Sequence, residues 1–159
     1  MSEVSLRDVM RACAQGVVVV TAQGADGFRG ITVSSFTSVS LEPPLVLICI
    51  MNESRAHEAI KSGWFVVNVV GEDQGAVADH FARPSIDSDE QFKEYAFPKL
   101  EGCLGYLRCR VVGESAQGDH TVFFGEVDES EVGAGEVSRK GLVFSGRQYW
   151  ALTDSGYRR

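Results

Sequence analysis

No stretch of this 159-residue chain is apolar for long enough to cross a bilayer: the longest runs, Gly16 to Thr21 and Leu45 to Met51, fall far short. Neither a signal peptide nor a membrane span is expected, and the chain reads as cytoplasmic. It has no CxxC pair either. Cys13, Cys49, Cys103 and Cys109 each sit in an apolar or alternating context, which predicts buried thiols in a reducing compartment. Positive charge is scarce, 15 basic against 22 acidic residues for a net charge of −7, so a nucleic-acid backbone or an anionic membrane surface is a poor partner. A few arginines can still build a local pocket for one phosphate. No GxGxxG fingerprint follows a strand, so a Rossmann-type dinucleotide domain is not expected. No nucleophile triad, carboxylate pair or metal-ligand cluster declares itself, so no metal site is expected.

What is present suits a single domain over residues 1–159, since 44% hydrophobic content at this length can close one core. Ser5 with Asp8, and Leu6, Val9, Met10 and Cys13 at helical spacing, predict a capped amphipathic helix lying against that core. From Val17 the texture turns β-branched. VVVVTAQ, a turn at Gly24 to Gly27, and FRGITV predict a hairpin. Pro43 and Pro44 introduce the strand LVLICIM; Ser54 then caps a helix through Ile60 that stops at Gly63. The strand WFVVNVV precedes a helix from Asp73 to about Ala82, with Val77 and Phe81 on one face. Arg83 to about Lys99 is a polar excursion, readable as a lid or as a surface crossover.

The second half is again β: CLGYLRCRVV, HTVFFGEVDESEV and LVFSGRQYWAL. Alternation in the first puts Cys103, Leu107, Cys109 and Val111 on a dry face and Leu104, Tyr106, Arg108 and Arg110 on a mixed one. Six or more strands with a few short helices predict a mainly β fold built as a small antiparallel barrel.

The segment GITVSSFTSVSLEPPLVLICI, Gly30 to Ile50, resembles the flavin-reductase-like, FMN-binding split-barrel family. NESRAHEAI from Asn52, the strand around Asn68, the helix ending at His80 and Phe81, and GDHTVFFGEV from Gly118 follow in the family's order. The resemblance implies a homodimeric Greek-key split barrel that binds FMN or FAD and oxidises NADH or NADPH. It also implies that reduced flavin passes to a partner monooxygenase. The candidate flavin contacts it carries over are Thr32, Val33, Ser34, Ser35, Ser38, Val39, Ser40, Cys49 and Ile50.

These residues also make physical sense unaided. Read as one extended segment, Thr32 to Ser38 spans roughly 23 Å at strand rise, and its small hydroxyls and open amides suit a ligand rich in donors and acceptors. A Ser/Thr-rich strand-to-loop passage is the alternative. Ser54 and Arg55 stand at a helix start, where free amides and a guanidinium favour an anion such as the flavin phosphate; many helices begin so without a ligand. His80, Phe81 and Arg83 form a second candidate wall, although Phe81 equally reads as core. His120, after the Gly118–Asp119 turn, is the catalytic candidate, orienting nicotinamide or the flavin edge without exchanging a proton. Tyr149 is a candidate to close the pocket, or else a core or dimer contact.

Hydride transfer between stacked cofactors needs positioning more than acids or bases, which agrees with the missing motifs. No arginine cluster for a second phosphate can be located in one dimension, so NADH is favoured over NADPH. Three rivals stand: a flavoprotein that keeps its flavin and reduces ferric iron or an organic acceptor, a non-catalytic flavin- or haem-binding protein, and a barrel serving only as an interaction module.

Overall fold

The four consecutive valines from Val17 are apolar at every position because both faces of their segment are covered. Val18 and Val20 enter one core with Ile48, Ile50, Phe65 and Phe123. Val17 and Val19 enter a second with Ala78, Phe81, Leu100 and Leu142. A strand buried on two sides has no solvent face to supply polar alternation. The chain is described here from a computed structural model, which covers residues 5–25, 27–83, 92, 97–133 and 139–153.

The strands are β1 (Gln15–Gly16), β2 (Val18–Gly24), β3 (Gly27–Val33), β4 (Thr37–Leu41), β5 (Pro44–Met51), β6 (Trp64–Val69), β7 (Gly105–Gln117), β8 (His120–Val132), β9 (Val143–Ser145) and β10 (Gln148–Trp150). The helices are α1 (Leu6–Ala12), α2 (Arg55–Ile60) and α3 (Gly75–Ala82). Seven strands form an antiparallel sheet in the order β3-β2-β6-β7-β8-β5-β4. Strand β3 returns beside β5, so the sheet rolls into a split barrel around the first core. A small sheet, β1-β9-β10, lies outside it.

The expected hairpin pairs β2 with β3 from Val18↔Val33 to Gly24↔Gly27. Buried Cys109 faces the barrel core, as do Leu107 and Val111. On the other face of β7, Tyr106 donates to Glu129 and Arg110 to Glu126, ladders that satisfy a solvated surface.

Four expectations need correction. Helix α1 carries the predicted capping box but buries no residue, and Leu6 is 79% exposed; its apolar stripe finds no covering surface among the described residues. The Thr32–Ser38 segment is not one strand, because the backbone bends at 34–36 between β3 and β4. Cys13 is exposed and Cys49 half-buried, whereas Cys103 and Cys109 are buried. Helix α3 starts at Gly75 instead of Asp73, with Gln74 at its N-cap.

The excursion from Arg83 to Lys99 lies largely outside the described residues. Its described part is tied down: Phe97 stacks on Phe28 at 4.0 Å, and the Pro98 carbonyl accepts from Thr21 Oγ1 at 2.6 Å. Buried Asn68 completes the tie, accepting from Leu100 N at 2.9 Å and donating to Val19 O at 3.1 Å.

Candidate functional site

A cavity of about 500 Å³ opens where β3, the end of β5, the start of α2 and the end of α3 converge. Arg29, Gly30 and Ile31 come from β3, Met51 from β5, Ser54 and Arg55 from the α2 start, and Phe81, Ala82 and Arg83 from the end of α3. Ile31, Met51, Phe81 and Ala82 make an apolar wall. Three arginines face it with one acid, Glu53. In a chain carrying −7 overall, that local excess of positive charge is what an anionic ligand recognises. A second cavity of about 560 Å³ shares Arg29 and Arg55 and continues past them along Gly24, Ala25, Gly27 and Glu58.

Local sequence explains the walls. Ser54 caps α2, its Oγ accepting from Ala56 N at 3.1 Å, and the Arg55 side chain begins at the first helical residue. Gly30 has no side chain because Phe81 occupies the space: a Cβ there would lie 2.5 Å from the Phe81 ring. Phe81 is thereby both core and cavity wall.

Residues 10–153 match the family described as the flavin reductase like domain. The chain belongs to that family. It is 37% identical over 85% of its length to the reductase component of 4-nitrophenol 4-monooxygenase/4-nitrocatechol 2-monooxygenase from Rhodococcus opacus, covering 75% of that protein. It is 36% identical over 92% of its length to the NADH-dependent FAD reductase of Streptomyces globisporus, covering 84% of it. Among solved structures, the S. globisporus C-1027 NADH:FAD oxidoreductase in complex with NAD and FAD fragments superposes with a TM-score of 0.84 at 35% identity. That match covers 94% of this chain and 92% of the other. Split-barrel architecture is thus common to this chain and its flavin reductase relatives.

Of the residues singled out in the sequence, the structure gathers Ser54, Arg55, Phe81 and Arg83 on the cavity. His120 stands next to it: it pairs with Met51 across the β5–β8 ladder, and its Nδ1 lies 2.7 Å from Asp119 Oδ1. That contact holds the Asp119 carboxyl below the usual carboxylate range. His80 packs edge-on against Phe81 at 4.9 Å without lining the cavity.

Other candidates are engaged in the scaffold. Thr32 Oγ1 donates to Ala78 O of α3 at 2.7 Å, and Ser34 Oγ to Gln15 Oε1 at 3.1 Å. Ser35 Oγ brackets the Cys49 backbone, donating to its carbonyl at 2.9 Å and accepting from its N–H at 3.1 Å. Ile50 points into the barrel core and Val33 packs against it. Ser38, Val39 and Ser40 lie on β4, a strand at one end of the sheet, around a bulge. Tyr149 sits against Phe144 at 5.5 Å, where burial, with Asp79 adding, raises its hydroxyl pKa. None of these residues lines the cavity.

Arg29, Met51 and Glu53 line the cavity and were not singled out from the sequence. Arg29 carried a signal: the one charged residue in the strand FRGITV, buried here to 9% exposure. Its Nη1 donates to Phe28 O at 2.7 Å. Met51 and Glu53 carried none beyond adjacency to Ser54.

Proposed function

We propose that this protein is an NAD(P)H:flavin oxidoreductase that passes a hydride from NADH to FAD or FMN and supplies the reduced flavin to a partner monooxygenase. One observation carries the reading: Arg29, Arg55 and Arg83, with Ser54, surround a cavity whose other wall is apolar. The cationic side fits a flavin phosphate and the apolar side a ring system. When bound, the flavin accepts the hydride that the nicotinamide supplies.

The protein's own part is to bind and orient. Ser54 and Arg55 hold the phosphate end, with Arg83 opposite. Phe81 and Met51 form the wall along the ligand; for the Thr32–Ser38 segment, Val39, Ser40, Cys49 and Ile50 the support as flavin contacts is the family resemblance, since none lines the cavity. His120, at the rim beside Met51, orients the nicotinamide or the flavin edge. His80 and Tyr149 complete the surroundings from α3 and the last hairpin. The second cavity gives the adenosine half of FAD a place beyond the two shared arginines, which favours FAD over FMN.

We further propose a homodimer in the cytoplasm. Leu6, Val9 and Met10 of α1 are exposed together with Trp150 and Leu152, and Gly146 N donates to Arg11 O, bringing α1 beside the last hairpin. Free thiols among the described residues suit a reducing compartment. Among those residues no helix is long and apolar enough to cross a membrane.

The test is NADH and NADPH oxidation by flavin-stripped protein with FAD, FMN or riboflavin added in turn, repeated with Arg55→Ala. Turnover should require added flavin, prefer FAD and NADH, and tolerate riboflavin poorly. Arg55→Ala should weaken FAD binding by about 10- to 100-fold, the worth of one charge-assisted contact. Turnover by protein that keeps its flavin would favour a different acceptor, and a coloured preparation inert to NADH would favour a binding protein.

A further inference from the structure

Behind the cavity wall, three side chains outside the set described so far form a directed hydrogen-bond chain. His57, on α2, is 5% exposed, and its Nε2 lies 2.9 Å from Thr121 Oγ1 on β8. Thr121 Oγ1 donates to Asn52 Oδ1 at 2.8 Å, and Asn52 Nδ2 donates to Gly118 O at 3.3 Å. Asn52 N donates to Asp119 O at 2.9 Å. One residue therefore clasps two successive carbonyls of the turn that presents His120.

The direction of every proton follows from one acceptor. A carbonyl only accepts, so Gly118 O requires the Asn52 amide nitrogen, which turns the amide oxygen toward Thr121. The Thr121 hydroxyl has one proton, and the amide oxygen takes it. His57 then donates from Nε2, and because the Glu58 carboxylate, 3.2 Å from Nδ1, can only accept, that second pairing needs a proton on Nδ1 as well.

Asn52 also lies between Met51 and Ser54, both on the cavity wall. Resting on the function proposed above, we propose that His57, acting through Thr121 and Asn52, is a positioning residue that holds the Gly118–His120 turn in register with the Met51–Arg55 wall. It touches no ligand. A structural contact alone would support the fold; this one sets where His120 stands relative to the phosphate end.

The experiment combines histidine-¹⁵N NMR with rapid-mixing reduction of FAD by NADH. Wild-type protein should show one exchange-protected imidazole Nε2–H, retained in Thr121→Ser and lost or displaced in Thr121→Val. Thr121→Val, and Asn52→Asp as a near-isosteric second break, should slow flavin reduction or raise the NADH KM at least fivefold. FAD affinity should stay within twofold, and Thr121→Ser should restore the wild-type values. In a His120→Ala background, Thr121→Val should add less than twofold, because both act through one residue.

A wild-type spectrum without the protected Nε2–H overturns the proposal. So does a full additional loss in the double variant. Kinetics unchanged by Thr121→Val and Asn52→Asp, with His120→Ala impaired, overturn this inference alone. A His120→Ala variant with wild-type kinetics removes the role given to His120 and this inference with it, and wild-type protein inactive toward NADH and flavin removes the function as well.

Discussion

Single residues in this protein do work that their neighbours in sequence do not advertise. Cys109 is the clearest. It lies at full burial in the barrel core, and burial, with the Asp128 carboxylate adding, pushes its thiol pKa up to about 12 from its ordinary value of 9.0. Because the folded state favours the protonated thiol, its stabilising contribution is complete below pH 9 and is lost as pH rises toward 12. Tyr106, raised to about 12 chiefly by its hydrogen bond to Glu129, acts in the same direction from about pH 10. Thermal melts should therefore show stability falling between pH 9 and 12. In Cys109→Ala that fall should be shallower by about 1.4 kcal/mol per pH unit, the linkage slope of one proton. Under native conditions at pH 8, a thiol reagent should modify exposed Cys13 first and reach Cys103 and Cys109 only on unfolding.

At the scale of elements, the site depends on how closely α3 approaches β3. Gly30 permits that approach, since its missing Cβ leaves room for the Phe81 ring. Gly30→Ala should cost about 1–3 kcal/mol through overpacking, measured by chemical denaturation. It should also weaken FAD binding while leaving the Arg55 contact in place, because the displaced Phe81 moves the apolar wall. Stability loss with unaltered FAD affinity would separate Phe81's core role from its site role. HTVFFGEVDESEV was legible as β8 over its whole length, and Ser54 was legible as a cap, because both are set by neighbours in sequence. Helix α1 was legible as a helix but not as an exposed one; periodicity identifies a stripe without saying what covers it.

At the scale of the whole molecule, an acidic chain concentrates three arginines on one cavity and leaves apolar side chains on α1 and the last hairpin facing outward. The first feature is the proposed flavin site. The second is the proposed subunit contact: Leu6→Lys combined with Val9→Lys should shift a dimer toward monomer in sedimentation velocity while leaving the monomer folded, since neither side chain is buried within the chain. A wild-type protein that sediments as a monomer at micromolar concentration would remove the proposal.

The sequence alone determined the barrel strands β2, β3 and β5 to β8, the capped starts of α1 and α2, the barrel class and the family, because these follow from alternation, turn residues and a long colinear motif; β1, β4 and the turn that parts β9 from β10 came only with the structure. It also marked Ser54, Arg55, Phe81 and Arg83. Tertiary structure decided what those residues face. Arg29 becomes a cavity residue only when β3 closes against α2, and the hydroxyls of Thr32, Ser34 and Ser35 prove engaged with α3, Gln15 and β5. His57, Thr121 and Asn52 are separated in sequence by up to 69 positions, and only the rolling of β5 against β8 brings them into one hydrogen-bonded chain. Backbone pattern is a local property of neighbouring residues, whereas a site is made by side chains that meet after the sheet has closed.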